Sequence, residues 1–448
     1  MFKSSHFKSS LILAASAFVL ASCAGVEKSS ITAPIATSFP NYKTAASSGD
    51  FDPVKIAALE ARMQKFVTDR ETAGIATLLV KDGKVISHTK AGIRNVNGFE
   101  PITDDTIYRI YSMTKPITGV ALMKLYEAGK FSLDDPVSKF VPEFETLKVV
   151  SSYDASGTVV LETLERQPTM RELMSHTAGF GYGLFGDDPT NKAMREEKTL
   201  RSKDLESFID AIAKVPLMHQ PGEEWVYSAA VDIQGAIVER LSGQTFGAYL
   251  KSEIFDPLAM DDTGFFVPDE DYDRLSQVFG YHPVSNQFGP APYAQFPEFA
   301  FREETINMES GGGGLASTLD DYARFCQMLA NGGTLDGVRI LKAETVKLMR
   351  TNILKDHQKL SLSGTLDSTA ADSLGFGLDF GVVTNRLSNA PVPGEGIYFW
   401  GGAAGTWFWV DPENDLYFIG MIQRFPQNGP NVDFRGISRA MVYDALKK

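Results

Sequence analysis

Residues 108–115 are Tyr108-Arg109-Ile110-Tyr111-Ser112-Met113-Thr114-Lys115, and apolar residues at helical spacing follow them. Residues three apart on a helix share a face, so Lys115 would bring its amine to the Ser112 hydroxyl. Free backbone N–H groups at a helix start also favour a developing anion there. The stretch therefore predicts a nucleophilic serine with a lysine partner. The alternative is a helix-capping serine beside a solvated lysine.

Two other copies of the spacing S-x-x-K, at Ser5 and Ser87, carry less weight. Ser5 lies in the amino-terminal leader described below. Ser87 leaves a predicted strand, in which residues three apart point to opposite faces. Only the copy at Ser112 is therefore expected to bring a lysine to a serine.

Strand patterns lie at both ends of the chain, and helical patterns lie between them. A helix is predicted over 54–70, and Asp82-Gly83 between two apolar runs predicts a β-hairpin. Near the carboxyl end we predict strands over 397–400, 406–410 and 416–423 and a helix over 434–446. Helices are predicted over 112–130, 169–176, 202–214 and 228–251, and the stretches 265–301 and 356–373 are predicted connections. This order predicts a sheet formed from both termini (53–103 and 263–448) with an inserted helical subdomain (104–262).

Further motifs follow residues 108–115 in a fixed order: Leu173-Met174-Ser175-His176-Thr177-Ala178-Gly179, Pro221-Gly222 to Tyr227-Ser228, Gly311-Gly312-Gly313-Gly314, and Trp400-Gly401-Gly402. The series resembles the serine β-lactamase-like superfamily, which contains class C β-lactamases, D-alanyl-D-alanine peptidases and family VIII carboxylesterases. The resemblance covers about residues 55–445. It implies the penicillin-binding/β-lactamase-like fold: α/β of the α+β type, with an antiparallel sheet flanked by helices and an inserted all-helical subdomain.

The resemblance also assigns roles to individual residues. Ser112 is the acylated nucleophile, Lys115 its base partner, and Tyr227 the group that shuttles a proton to the leaving group. The N–H of Ala403 is the second oxyanion donor beside that of Ser112, and Trp400-Gly401-Gly402 is a substrate-binding motif on an edge strand, whose glycines let substrate approach the backbone. A lysine that acts as base must be neutral, so its pKa should fall from ~10.4 by about three units.

Two departures from the lactamase pattern favour an esterase. The usual Y-x-N motif is Tyr227-Ser228-Ala229 here, and Trp400 stands where K-T-G has its lysine. Loss of both polar anchors favours uncharged short-chain carboxylic esters, as in the Trp-Gly-Gly esterases. The alternatives are a penicillin-binding enzyme with weak β-lactamase, D-aminopeptidase or DD-peptidase activity, and a catalytically idle ligand-binding lipoprotein of the cell envelope. His176 is expected to be a hydrogen-bonded structural residue.

The amino terminus predicts export. Lys3 and Lys8 precede an apolar run over 11–21, which is too short to cross a bilayer at about 20 residues. The run ends in Leu20-Ala21-Ser22-Cys23, which resembles the bacterial lipobox; the alternative is an ordinary cleavable signal. We therefore predict a signal peptide over 1–22, lipidation of Cys23, a flexible tether over 23–52, and a membrane anchor in the cell envelope. Ala24 after the cysteine favours the outer membrane, facing the periplasm.

Composition excludes several other classes. The 448 residues carry 43 Lys and Arg against 56 Asp and Glu, a formal charge of −13, without a basic block, which argues against nucleic acid as a partner. No Cys/His group has zinc spacing, so no metal is expected. Residues 181–186 match G-x-G-x-x-G without a preceding strand, and no G-x-S-x-G elbow occurs, so neither a dinucleotide cofactor nor an α/β-hydrolase is predicted. The substrate is expected to be a small ester or, in the alternative, a β-lactam, and no cofactor is expected. The sequence does not indicate the oligomeric state.

Overall fold

Helices and strands follow one another much as the sequence patterns predict. The computed structural model describes residues 49–154, 156–282, 284–291, 301–360, 373–384, 394–425 and 432–447. The helices in these ranges are α1 Pro53–Thr68, α2 Thr114–Glu127, α3 Met170–Met174, α4 Pro189–Glu196, α5 Leu205–Ile212, α6 Ala230–Ser242, α7 Phe246–Leu250, α8 Asp256–Leu258, α9 Leu319–Ala330, α10 Ala343–Met349 and α11 Phe434–Ala445. The strands are β1 Gly74–Lys81, β2 Lys84–Asn95, β3 Glu100–Pro101, β4 Ile107–Arg109, β5 Lys148–Tyr153, β6 Val159–Thr163, β7 Phe279–Tyr281, β8 Phe288–Pro290, β9 Ala316–Thr318, β10 Thr334–Leu335, β11 Val338–Arg339, β12 Leu374–Phe376, β13 Gly381–Val383, β14 Tyr398–Gly401, β15 Trp407–Asp411 and β16 Leu416–Met421.

The main sheet joins the two ends of the chain. Within the described residues it has eight strands in the order β12-β13-β14-β15-β16-β1-β2-β3, each antiparallel to its neighbours. The seam is the pairing of β1 with β16, which runs from Ala76 opposite Met421 to Lys81 opposite Leu416. The predicted fold class, a mixed fold with an antiparallel sheet from both termini, is confirmed.

The β1–β2 hairpin turns where the sequence predicts. Asp82 and Gly83 both have positive φ angles, +51° and +69°. Two left-handed residues are what a tight two-residue turn needs to match the twist of its strands, and Asp-Gly tolerates that conformation. The turn thereby sets the register of β1, the strand that pairs with β16.

Helices cover both faces of the sheet because β1 is apolar on both. Ile75 and Leu79 belong to a buried cluster with α1 and α11, while Leu78 and Val80 belong to a larger cluster that contains α2 and α9. Alternate residues of a strand point to opposite faces, which accounts for this division. Burial of each such side chain contributes about 1.5–3 kcal/mol.

The inserted segment is less uniform than expected. Residues 104–262 were predicted to be all helical, but β5 and β6 form a hairpin within them. Its strands carry mostly exposed polar residues, so no apolar strand pattern marks them in the sequence. The strand β4, near the start of this segment, pairs with β9. The exact boundaries at 103 and 262 remain a prediction.

The globular body begins before residue 53. Phe51 is buried and pairs with Leu446, and the Asp52 N–H donates to the Ala445 carbonyl over 2.8 Å. The predicted tether, 23–52, therefore extends too far at its carboxyl end, because Phe51 and the Asp52 backbone contact the carboxyl-terminal residues. The remaining predictions for 1–48, including Cys23, lie outside the described residues.

The stretch 265–301, predicted as a connection, contains short regular elements in its described part. The predicted connection 265–301 contains a 3₁₀ turn, Asp269–Arg274, and the short hairpin β7–β8. In the part of the chain that the structure describes, no helix is both long and apolar enough to cross a bilayer, and no cluster of side chains has the make-up of a metal site.

Candidate active site

Ser112 lies in a strained turn at the entrance to α2. Residues Tyr111–Met113 form a single 3₁₀ turn, and the N-cap of α2 is Met113, so Ser112 does not cap the helix. Tyr111 has a φ angle of +44°, a left-handed conformation that costs a non-glycine residue about 1–3 kcal/mol. The Tyr322 hydroxyl donates to the Met113 carbonyl over 3.0 Å and helps to hold the turn.

Three of the predicted residues meet at the Ser112 hydroxyl. Lys115 Nζ lies 3.3 Å from Ser112 Oγ, and the Tyr227 hydroxyl donates to the same oxygen over 2.7 Å. Lys115 is fully buried, whereas Ser112 and Tyr227 are both partly exposed. The geometry gives a hydroxyl open to a substrate, with two proton-carrying groups behind it.

Lys115 is surrounded by oxygen atoms. Its Nζ donates to the Tyr182 hydroxyl over 2.9 Å and to the Gly312 carbonyl over 2.5 Å, in addition to its contact with Ser112. Burial lowers the pKa of the amine, but electrostatic interactions with Tyr182, Tyr227 and Asp232 outweigh burial and raise the pKa above its usual value. The expected fall of the Lys115 pKa is therefore wrong for the free site, in which three acceptors saturate an ammonium group.

An aromatic cluster holds the Tyr227 ring in one orientation. The centroids of Tyr182 and Trp225 lie 5.2 and 6.2 Å from it, the first edge-on and the second stacked. His176 and Trp400 lie 5.1 and 5.6 Å away on a slant. Because these neighbours pack the ring in one orientation, its hydroxyl points at Ser112.

His176 packs against Tyr227 and hydrogen-bonds to Ser228. Its Nδ1 accepts from the Ser228 N–H over 3.2 Å and lies 2.8 Å from the Ser228 hydroxyl, so Nδ1 carries no proton. Burial and the nearby Lys115 charge keep the His176 pKa well below its ordinary value. A neutral, hydrogen-bonded histidine agrees with the structural role expected from the sequence.

The third motif lies inside the sheet. The strand β14 is flanked by β13 and β15, so the prediction of an edge strand is wrong. Its pairing with β13 ends at Phe399, however, and leaves the Trp400-Gly401 end without that neighbour. Trp400 is only 4% exposed and packs against Tyr227 and Phe376, so it reaches the site as a buried support for the tyrosine.

The two glycines of the motif are required by the protein's own packing. A Cβ atom on Gly401 would lie 2.5 Å from the Arg435 guanidinium, and one on Gly402 would lie 2.3 Å from the Ile110 carbonyl oxygen. Arg435 Nη2 also donates to the Gly402 carbonyl over 3.1 Å, and burial lowers its pKa to about 10. These contacts, and not only substrate approach, explain the glycines, because a side chain would push the motif away from the residues before Ser112.

Ala403 is exposed next to this contact. Within the described ranges its N–H has no hydrogen-bond partner, whereas the neighbouring Gly402 N–H donates to Thr406 over 2.7 Å. Gly402 abuts Ile110, two residues before Ser112. An unused donor in this position is compatible with the predicted oxyanion role, which remains a prediction.

Comparison with known proteins was made on this geometry and fold. A match to the Beta-lactamase family extends over residues 59–438. The chain belongs to the Beta-lactamase family. Protein Rv1367c of Mycobacterium tuberculosis is 34% identical over 362 residues, which cover 79% of this chain and 86% of that protein. Esterase EstB of Burkholderia gladioli is 28% identical over 373 residues, which cover 80% and 88%.

A solved structure agrees with the fold. EstCE1, described as a hydrolase with promiscuous acyltransferase activity, aligns with a TM-score of 0.69 at 24% identity, covering 88% of this chain and 98% of that chain. The predicted superfamily and fold are thus confirmed.

This Beta-lactamase family member has site residues that sequence reasoning missed. The Tyr182 hydroxyl accepts a hydrogen bond from Lys115. Tyr182 lies in the stretch 181–186, for which the sequence suggests only a match to a dinucleotide-binding motif. Gly312 was quoted in a motif, but its carbonyl as a lysine acceptor was not expected. Asp232 and Arg435 have no sequence signal, because their contacts join elements that are far apart in the chain.

Proposed function

We propose that the protein is a serine esterase that hydrolyses uncharged, short-chain carboxylic esters through an acyl-enzyme on Ser112. The observation that carries the proposal is the meeting of Lys115 and Tyr227 at the Ser112 hydroxyl, at 3.3 and 2.7 Å. A serine hydroxyl becomes a useful nucleophile only when a neighbour accepts its proton. The esterase EstB and the hydrolase EstCE1 among the similar proteins support this class of chemistry.

In the acylation step, Ser112 Oγ attacks the ester carbonyl carbon and its proton passes to the pair Lys115 and Tyr227. The tetrahedral oxyanion is held by the N–H groups of Ser112 and Ala403. The carbon–oxygen bond to the alcohol then breaks, and the Tyr227 hydroxyl returns the proton to the departing alkoxide. Water, deprotonated by the same pair, then attacks the acyl carbon; the bond to Ser112 Oγ breaks, the pair returns the proton to Oγ, and the acid leaves.

The raised Lys115 pKa shapes this mechanism. A fully protonated pair, with an ammonium and a phenol, cannot accept the Ser112 proton. Turnover therefore requires a form in which the Lys115 and Tyr227 pair has lost one proton, so that the Ser112 proton has an acceptor. Activity should rise with pH until the pair has lost that proton.

The substrate preference follows from what surrounds the hydroxyl. Trp400 occupies the position of a lysine, and Ala229 is a fully buried methyl where the lactamase pattern has an amide. A substrate carboxylate would find neither anchor, so uncharged esters are favoured. The weaker candidates are β-lactam or D-amino-peptide hydrolysis in the same site, and ligand binding without turnover.

A direct comparison of substrates tests the proposal. Purified protein is incubated with chromogenic esters of increasing acyl length and, in parallel, with a chromogenic cephalosporin. We expect turnover of short acyl esters and little or none of the cephalosporin. Preferred turnover of the cephalosporin would favour the lactamase alternative, and no turnover of either would favour the idle binder.

We also propose that the protein is a lipoprotein of the bacterial cell envelope, held through Cys23 and facing the periplasm from the outer membrane. The support is the sequence Leu20-Ala21-Ser22-Cys23 after an apolar run, with Ala24 next. Metabolic labelling with a fatty acid should mark the wild type and not Cys23→Ser, with Cys326→Ser as the matched control. Equal labelling of wild type and Cys23→Ser would contradict the anchor.

A further inference from the structure

The backbone of Gly312 lies between a buried lysine and a buried carboxyl group. Lys115 Nζ donates to the Gly312 carbonyl over 2.5 Å, and the Gly312 N–H donates to Asp232 Oδ1 over 3.0 Å. The Ser310 hydroxyl donates to the same oxygen over 2.5 Å. A Cβ atom on Gly312 would lie 2.6 Å from Asp232 Oδ2, so the residue must be glycine for the carboxylate to fit. The carbonyl and the N–H of Gly312 thus connect Lys115 to Asp232.

Asp232 is one of two fully buried carboxyl groups near Lys115, and the two differ in their partners. Asp379 accepts one hydrogen bond, from Gln234 Nε2 over 3.1 Å, whereas Asp232 Oδ1 accepts two, and the second oxygen of each carboxyl group has no partner in the described ranges. Burial holds the Asp379 pKa well above its ordinary value, and burial also raises the Asp232 pKa, although the hydrogen bonds from Ser310 and Gly312 to Asp232 act in the opposite direction. Asp232 accepts from Ser310 and Gly312, as a buried carboxylate requires.

We propose that Asp232 is the buried counter-ion of Lys115 and acts through Gly312 as a positioning residue, whose charge sets the pH at which Ser112 becomes nucleophilic. The inference rests on the proposed function, because it concerns the proton that the Lys115 and Tyr227 pair must lose. A buried ammonium is unfavourable without a counter-charge, and Asp232 supplies that charge without a direct ion pair.

The sign of the effect follows from the groups that face Lys115, which are Tyr182, Tyr227, Asp232, His176 and Asp379. Burial raises the pKa of Tyr182, Asp379 and Asp232, but two donors meet at Asp232 Oδ1, against one at Asp379, so we assign the negative charge to Asp232. An anion opposes loss of a proton from the cluster. Removal of the Asp232 charge should therefore shift the acid limb of the pH profile, over which Ser112 reactivity rises with pH, to lower pH.

The test measures the rate at which a fluorophosphonate labels Ser112, between about pH 5 and 9, in the full-length protein. This readout needs no knowledge of the natural ester. We expect Asp232→Asn, which keeps the shape and an acceptor oxygen, to shift the acid limb down by about one pH unit. Asp379→Asn is the matched control: Asp379 accepts only from Gln234 and makes no hydrogen bond to Gly312, so this variant should leave the limb in place.

A second variant covers loss of folding. Ser310→Ala removes one hydrogen bond from the Asp232 carboxylate and should give a smaller shift in the same direction, which decides the question if Asp232→Asn does not fold. An unmoved limb in the folded Asp232 variant, or an equal shift in Asp379→Asn, would overturn the inference. Labelling of wild type at Ser112 without turnover of any ester would instead count against the ester substrate alone. No labelling of wild-type Ser112 would overturn the proposed function and this inference with it.

Discussion

The site has two sides, one formed by the start of α2 and one by the end of β14. On the α2 side, Ser112 and Lys115 hydrogen-bond to the side chains of Tyr227 and Tyr182. On the β14 side, Trp400 is a buried ring, and Gly401 and Gly402 lie against other parts of the chain. The proposed proton transfer is thus concentrated in side chains of one side, while the other offers packing and backbone groups.

This difference accounts for the proposed chemistry. The α2 side contains what any acyl transfer to serine requires, namely a hydroxyl and groups that move its proton. In the proposed function, the β14 side distinguishes one ester or amide from another, and it lacks a lysine in the third motif. Damage to the first side should therefore abolish turnover, whereas changes to the second should redirect it.

The largest expected effect is that of Ser112→Ala. We expect kcat for ester hydrolysis to fall by at least about 10³-fold, because the nucleophile is removed. The free energy of unfolding should change by only about 1 kcal/mol, since Ser112 does not cap α2 and loses only side-chain hydrogen bonds. Steady-state kinetics and thermal unfolding measure the two quantities.

The matched control is Ser175→Ala, a buried serine that contacts Thr177 over 2.9 Å and lies outside the proposed machinery. It should retain turnover. Full esterase activity in Ser112→Ala, or fluorophosphonate labelling of another residue, would refute the nucleophile.

The next effect concerns the proton-transfer pair. Lys115→Ala and Tyr227→Phe should each lower kcat by about 10²-fold or more. Their losses should not add, because the two residues hold one proton between them, so the double variant should be little worse than the more damaged single variant. Lys124→Ala, which removes a lysine of the same helix that pairs with Glu253, is the control. Fully additive losses would mean that the two residues act independently.

The α2 side was the easier one to predict from sequence. The spacing Ser112-x-x-Lys115 follows from local helix geometry, and the sheet follows from apolar strands at both ends. The chain also turns at Asp82-Gly83 as its residue types require. These features depend on neighbours in the sequence, so a pattern can show them.

The remaining features depend on contacts between distant segments. The raised Lys115 pKa comes from Tyr182 and Asp232, which lie 67 and more residues away. The position of β14 inside the sheet depends on β13, and the need for Gly401 comes from Arg435 in α11. Phe51 docks on the carboxyl end, which no composition of residues 23–52 indicates. Such contacts have no periodicity to detect.

The smallest expected effect, and the sharpest test of the comparison between the two sides, is Trp400→Lys. The change places a cation where a lactam carboxylate would meet it. It also removes the ring that packs on Tyr227 at 5.6 Å, so we expect ester turnover to fall about tenfold through a less well-held phenol. The loss of packing should cost about 2–4 kcal/mol of unfolding free energy. Trp400→Leu removes the same ring without adding a charge and separates the effect of lost packing from the effect of the new charge.

Both variants should lose ester turnover, but only the lysine variant should gain cephalosporin binding, measured as protection of Ser112 from fluorophosphonate. The gain should remain small because Ala229 still offers no amide. Equal protection in both variants would show that size and not charge governs the β14 side, and unchanged ester turnover in both would show that Trp400 does not support Tyr227.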